Sequence, residues 1–479
     1  MTALLIAGTT SDAGKSVVVT GLCRALARRG LRVAPFKAQN MSNNSMVVAT
    51  AEGEPREIGR AQWAQAVAAG AEPEVAMNPV LLKPGSDLRS HVVRMGLPDG
   101  ELTAAGFAHR RDRLARTAYD AFDDLRSRFE IVVAEGAGSP AEINLRAGDY
   151  VNLGLARHGD VPTVVVGDID RGGWFAACYG TLALLEPADQ RLVAGWIANK
   201  FRGDVGLLEP GLVDLARRTG RPTYGVLPWH PDLWLDSEDA LELDARRSPG
   251  AGTRRVAVVR LPRISNFTDV DALGLEPALD VVFVSDPGRL ADADLVVLPG
   301  TRATLADLDW LRGRGLDVAI RQHVAAGRPV LGICGGCQIL GVTISDPEGV
   351  EGVPGSRTDG LGLLDLETTF HEEKTLRLHE PAGYEIHHGR VSGETRAGSV
   401  VGTMVHGSLE DDAARGALLG DLLGIESEVS FPAARERRLD LLADLVEQHL
   451  DVEAMLALAR RGVPALPVIG DRPTAAGTG

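Results

Sequence analysis

Cysteine is scarce, with four residues at positions 23, 178, 334 and 337 of a 479-residue chain. Four thiols so unevenly spaced cannot build a secreted disulfide framework, and a reducing cytoplasm is the expected compartment. Positive charge is also short: 50 lysines and arginines against 65 acids leave a net charge of −15. That balance argues against a nucleic-acid partner and against attraction to an anionic membrane, so an anionic substrate has to be met by local arginines and lysines. No apolar run reaches the roughly 18 residues of a membrane span. Met1 to Gly8 lacks a basic leader and reads as a first buried strand. Low-complexity and collagen-like segments are missing as well.

What is present suits a layered α/β protein. Hydrophobic residues make up 44% and glycine fills 56 positions, as expected of short buried strands, helices and many tight loops. The length exceeds one ordinary core and predicts two or three domains. In the first half, strands alternate with helical stretches, which predicts a doubly wound, mostly parallel sheet.

The first strand, Leu4-Leu5-Ile6-Ala7, runs into Gly8-Thr9-Thr10-Ser11-Asp12-Ala13-Gly14-Lys15-Ser16 and then a helical stretch. This pattern is a phosphate-binding loop. Glycines let backbone N–H groups face phosphates, a helix N-terminus stands behind them, Lys15 reaches the terminal phosphates and Ser16 is a Mg²⁺ ligand. Five residues, instead of the commoner four, separate Gly8 from Gly14. ATP and Mg²⁺ are the expected cofactors, with Gly8, Thr9, Gly14, Lys15 and Ser16 around the phosphates.

Further candidates sit at the carboxyl ends of later strands, where open α/β sheets bind ligands. Lys37 opens the polar segment Lys37 to Ser45 and is assigned to ATP, with a plain polar loop as the competing reading. Ile131-Val132-Val133-Ala134 ends in Glu135, the place for a second Mg²⁺ anchor. Glu57 is a further metal candidate, and Asp168 and Asp170 follow another strand. Asn199 ends the next one, where it reads an adenine edge or serves as a structural amide.

Between about 236 and 254 the sequence turns acidic and then rich in Arg, Ser, Pro and Gly, which marks a linker. The expected division is a phosphate-loop domain at 1–235, the linker, a second α/β domain at 255–450, and a C-terminal segment at 451–479 whose last part, from Pro464, is loose.

The second domain leads to Gly332-Ile333-Cys334-Gly335-Gly336-Cys337-Gln338, entered by a β-type run and left by a helical one. A strand, a sharp glycine-rich turn and a helix around one reactive side chain form a nucleophile elbow, with backbone N–H groups facing an oxyanion. Cys334 is the candidate nucleophile, and a buried structural cysteine in a tight turn is the alternative. Its base has to be His406, His387 or His388. Thiolate attack on an amide releases ammonia, while a phosphoryl group placed on a carboxylate makes a mixed anhydride that ammonia attacks. Together the halves describe a glutamine-dependent amide synthetase, although a cysteine hydrolase fused to a regulatory ATPase has the same parts.

The chain resembles the cobyric acid synthases of the CobB/CobQ family across roughly residues 1 to 450. The blocks that carry the likeness are Lys37 to Ser42, Met77 to Pro84, Glu135 to Leu145, Gly167 to Gly173, Asn199 to Asp204, Arg263 to Asp269 and Gly383 to Arg390. The resemblance implies a dethiobiotin-synthetase-like phosphate-loop domain followed by a class I-type glutamine amidotransferase domain. It also implies ATP- and glutamine-dependent amidation of carboxylates b, d, e and g of adenosylcobyrinic acid a,c-diamide to give adenosylcobyric acid. The partners would be corrinoid, glutamine and ATP, with the oligomeric state left open.

By the same likeness the nucleophile is Cys334, the base His406, and the oxyanion donors lie near Gly300 and Gly335. The wider amidotransferase class has a glutamate two residues after the histidine. Ser408 stands there, so a Cys–His pair without a third carboxylate is expected. The family usually has tyrosine where Cys337 stands, which suggests a redox pair with Cys334. Lys83, Arg89 and Arg94 are candidates for meeting the corrinoid carboxylates. Competing readings are the a,c-diamide synthase of the same pathway, and a MinD- or ParA-like ATPase switch with a degenerate amidotransferase tail.

Overall fold

The computed structural model describes residues 2–85, 89–231, 233, 252–380 and 382–470, and of residues 89 and 101–109 the backbone alone. Two parallel sheets organise it. The first runs Thr223–Pro228, Val193–Phe201, Thr163–Asp168, Ala3–Gly8, Ile131–Glu135, Val33–Phe36 in space. All of its neighbouring pairs are parallel. Its strands read as continuous apolar runs because helices cover both faces. Chain order reverses on either side of Ala3–Gly8, so the phosphate loop leaves the sheet at a topological switch point, where doubly wound folds bind ligands.

The second sheet runs Leu279–Val284, Arg254–Val259, Leu295–Leu298, Val330–Ile333, Val400–Thr403, Arg396–Ala397. Only the last strand, Arg396–Ala397, is antiparallel to its neighbour. Cys334 follows its fourth strand and His406 its fifth, so the in-register pairing of Val330–Ile333 with Val400–Thr403 brings both to one sheet end. A four-stranded sheet containing Leu366–Leu378 and Tyr384–Gly393 folds over that end.

The C-terminal helices depart from the expected division. Phe431–His449 packs along Lys15–Arg28, with Leu439, Ala443 and Val446 in the same core cluster as Val18, Val19 and Leu22. The helices approach so closely that a Cβ on Gly21 would lie 2.5 Å from Val446 Cγ2. Val452–Arg461 contributes Met455 and Leu458 to that cluster. The second domain therefore does not extend to 450, because the apolar stripe of this helix is buried on the first. Nor is the whole tail loose: Arg221 donates to the Pro467 carbonyl, and Gln190 exchanges hydrogen bonds with Ile469. Of the expected linker only 252–254 is described, and Arg254 already begins a strand; its remainder and residues 471–479 lie outside the described residues.

Candidate active site

At the head of the first sheet, Gly14 takes φ 97°, a left-handed conformation that glycine adopts without Cβ strain. Helix Lys15–Arg28 starts behind it, leaving its first N–H groups without intrahelical acceptors and facing the loop. Lys15 folds back along the loop, its Nζ donating to the Thr10 carbonyl at 3.0 Å. Gly8 has the Lys15 ammonium 2.9 Å from where its Cβ would be. Thr9 continues the first strand's ladder through its N–H to Val166. Asn199 donates to the Ala13 carbonyl at 3.0 Å and abuts Gly14, so in this structure it braces the loop from below.

Ser16 Oγ donates to Glu135 Oε1 at 2.9 Å, and Lys37 Nζ reaches the same oxygen at 2.8 Å. Gln65 holds Oε2 at 2.6 Å. Burial alone would raise the Glu135 carboxyl, but the Lys37 charge and these hydrogen bonds outweigh it and hold the group below the usual range. A hydroxyl and an ionised carboxylate side by side make a hard-oxygen donor set, which suits Mg²⁺ completed by phosphates and water.

Glu57 does not join them. Its Oε1 accepts from Lys83 at 2.7 Å and its Oε2 from Lys374 at 2.5 Å. Two ammonium groups saturate this buried carboxylate, so the expectation of a metal ligand there is corrected. Lys83 is held between Glu57 and Ser45 in the lining of the cleft that also holds Cys334 and His406. Arg94 pairs with Asp99 at 3.4 Å, and the Arg89 side chain lies outside the described residues. Asp168 and Asp170 are paired with Lys200 and Arg202.

In the second domain Cys334 has φ 49° and ψ −109°, a strained backbone at the turn between Val330–Ile333 and helix Gly335–Leu340. Little else fits around it. A Cβ on Gly300 would come 3.0 Å from His406 Cε1, and one on Gly335 would come 3.0 Å from the Thr301 nitrogen. The glycines let the two loops close over one point. The first N–H groups of Gly335–Leu340 lack intrahelical acceptors and gather there too.

The third group of the site comes from 137 residues away: His406 Nδ1 bonds Asp269 Oδ2 at 2.7 Å. The other Asp269 oxygen accepts from the Gly407 N–H at 2.8 Å. A Cys–His pair without a carboxylate was the expectation from Ser408; the structure supplies the carboxylate from the 3₁₀ turn Phe267–Val270 instead. With Nδ1 tied to Asp269, Nε2 is left for Cys334, whose sulfur hydrogen-bonds the imidazole. Burial would lower the imidazole, but the Asp269 charge, then the Cys334 sulfur, raise it to about 10. The ring stacks on Tyr384 at 5.5 Å between centroids.

His387 and His388 face the same cleft, where His387 bonds Glu385 at 2.8 Å and His388 the His371 carbonyl at 3.0 Å. Neither is held by Asp269. Cys337 packs in the apolar core behind the elbow with no exposed surface, and burial, then the Cys334 charge, push its thiol up to about 12. A protonated, buried thiol is a poor redox partner, so the expected Cys334–Cys337 switch is not supported.

Two segments of the chain match known domain families. Residues 4–242 match the CobQ/CobB/MinD/ParA nucleotide binding domain, and residues 255–424 the CobB/CobQ-like glutamine amidotransferase domain. A cobyric acid synthase of Mycolicibacterium gilvum is 68% identical over 487 aligned positions, covering 98% of this chain and 99% of the relative. One from Mycobacterium ulcerans is 67% identical with the same coverage. One from Mycobacterium tuberculosis is 66% identical, covering 97% of this chain and 98% of the relative. With both domains matched, and with relatives this similar aligned along nearly their whole length, the chain belongs to the cobyric acid synthase family.

Proposed function

We propose that this protein amidates the b, d, e and g carboxylates of adenosylcobyrinic acid a,c-diamide, using ATP and ammonia drawn from glutamine. Cys334 Sγ attacks the glutamine carboxamide carbon. His406 Nε2 moves the proton between sulfur and the departing nitrogen, Asp269 fixes its tautomer, and N–H groups near Gly300 and Gly335 receive the oxyanion. Ammonia leaves, and water then cleaves the thioester to glutamate. In the first domain, Lys15 and the loop N–H groups position ATP, and a corrinoid carboxylate takes the γ-phosphoryl group to give an acyl phosphate and ADP. Ammonia attacks that carbonyl and expels phosphate. Ser16 and Glu135 would hold Mg²⁺, whose chemistry there is to neutralise phosphate charge. Lys37 and Gln65 fix the carboxylate that does so.

The observation that most supports this reading is a Cys334–His406–Asp269 constellation in one chain with a phosphate loop whose serine meets a carboxylate. Four free, buried cysteines suit work in the cytoplasm. Among the described residues no helix is long and apolar enough to cross a membrane. The test is mass spectrometry of the corrinoid after incubation with protein, ATP and glutamine. Four successive exchanges of OH for NH₂ are expected, and an unchanged corrinoid beside active glutamine hydrolysis refutes the assignment of the acceptor.

A further inference from the structure

The cleft that holds Cys334 and His406 also presents three non-histidine cations, Lys83, Lys374 and Arg302, and the acid Glu351. Glu57, just behind it, binds both lysines, one on each oxygen. Arg302 differs: among the described residues its guanidinium makes no hydrogen bond or ion pair. It follows Thr301, whose nitrogen is packed against Gly335 beside the nucleophile. A guanidinium facing a cleft without an acceptor is a ready partner for a carboxylate, which it binds in bidentate fashion.

Glu351 stands in the same cleft with its position tightly set. Asp346 accepts from the N–H groups of Val350, Glu351 and Gly352 at 2.8 to 3.0 Å, which pins the loop. The Glu351 carboxylate accepts in turn from the Leu305 N–H at 3.2 Å and from Thr304 Oγ1 at 3.4 Å. Thr304 and Leu305 follow Arg302 by two and three residues, so one short segment positions both the base and the acid. Burial raises the Glu351 carboxyl to about 7, with Arg302 and the helix-start donors offsetting it only in part. A cation placed beside it would restore its charge.

We infer that Arg302 and Glu351 recognise the amino-acid end of glutamine, Arg302 taking the α-carboxylate and Glu351 the α-ammonium, while the side-chain amide lies at Cys334. This rests on the reading of the cleft as a glutaminase. The pair makes the site specific for a free α-amino acid and rejects amides that lack either charge, because the unmatched partner would be left buried and unpaired.

The experiment compares amide hydrolysis by the full chain on three substrates: L-glutamine, glutaramic acid, which lacks the α-amino group, and 4-aminobutanamide, which lacks the α-carboxylate. Arg302→Gln is expected to lower kcat/KM for glutamine and glutaramic acid by about 10- to 100-fold and leave 4-aminobutanamide within about twofold of its starting value. Glu351→Gln is expected to lower glutamine and 4-aminobutanamide similarly and leave glutaramic acid unchanged. If Glu351 only caps the helix at Thr304, all three substrates fall together, and that result overturns the inference. Equal activity of both variants on all three amides overturns it too. If the unsubstituted protein hydrolyses no glutamine, the glutaminase reading fails and takes this inference with it, which is a different outcome from a protein that hydrolyses glutamine without this selectivity.

Discussion

Asp269→Asn is the sharpest test of the thiol site, because it removes one charge and little volume. Asparagine keeps an oxygen for the Gly407 N–H, so the fold around His406 should survive. What is lost is the carboxylate on His406 Nδ1. An opposite charge at that range shifts a partner by about one to three pKa units, worth about 1.4 to 4 kcal/mol of imidazolium stability. The amide also donates where the carboxylate accepted, which favours the tautomer with its proton on Nε2, the form unable to take a proton from Cys334. Losing charge and tautomer together should cut glutamine-dependent kcat/KM by about 10² to 10⁴. Amidation driven by added ammonium salt should change by less than twofold, since the phosphate-loop domain is untouched. The pH profile gives the sign independently. A group raised to about 10 holds its proton below that pH, so activity that needs imidazolium falls on the alkaline side. Removing the carboxylate leaves burial opposed only by the Cys334 sulfur, and the alkaline limb moves toward acid. Steady-state glutaminase assays across pH measure both effects. An Asp269→Asn enzyme within about threefold of the original, with an unmoved alkaline limb, would refute the idea that this carboxylate orients the base.

Cys334→Ser should abolish glutamine-dependent amidation and spare the ammonia-dependent reaction, whereas Lys15→Ala should remove both, as read by corrinoid mass spectrometry; ammonia-driven turnover surviving in Lys15→Ala would count against the loop. Leu439→Ala empties part of the packing between the C-terminal helix and helix Lys15–Arg28 and should cost about 2 to 5 kcal/mol in urea unfolding. A change below about 0.5 kcal/mol would mean that this helix does not support the first domain's core. Glu57→Gln leaves two buried ammonium groups facing each other and should destabilise the protein by about 3 to 5 kcal/mol near neutral pH. Burial already lowers Lys374 to about 8 against the opposing pull of Glu57. Without that carboxylate the folded-state value falls further, so the deficit should shrink as pH rises and Lys374 discharges. A deficit that grows between pH 7 and 9 contradicts the assignment.

Residues that announce themselves in sequence do so through short-range chemistry. Gly8 to Ser16 and Gly332 to Gln338 each combine a strand, a glycine turn and a helix start within a dozen positions, so Lys15 and Cys334 stand out from local pattern alone. Glu135 is legible because a buried strand ends on it, whereas only the family resemblance separates His406 from His387 and His388. Asp269 is invisible to the same reasoning, since it meets His406 only after the successive parallel connections of the second sheet place their segments together; the block Arg263 to Asp269 is conspicuous, but nothing local gives its acid a role. Gln65 is hidden for the same reason, as one amide in an alanine-rich helix. Glu57 went wrong because an acid near a nucleotide motif suggests a metal, while Lys374, which claims it, lies 317 residues later. The C-terminal helix went wrong because its apolar stripe says that it is buried and not on which domain.

The placement of these long-range contacts has a common sense. Three charges buried at Lys83, Glu57 and Lys374 are a poor way to stabilise a boundary, because apolar residues of similar volume usually do as well or better. Here the ammonium groups of both domains line the glutaminase cleft, and the carboxylate that holds them begins the approach to helix Arg60–Ala68. The same helix places Gln65 on Glu135 and Arg60 on Glu410, four residues beyond His406. At the other edge, Asn44 and Ser45 bond the segment Asn266–Phe267, whose Asn266 amide reaches the Tyr384 that stacks on His406. The Lys83–Lys374 side and the Asn266 side of the cleft thus include groups set by the phosphate-loop domain. A free glutaminase would release ammonia whether or not an acyl phosphate was waiting, and a cleft completed only by the other domain is the arrangement that makes such a separation structurally unavailable.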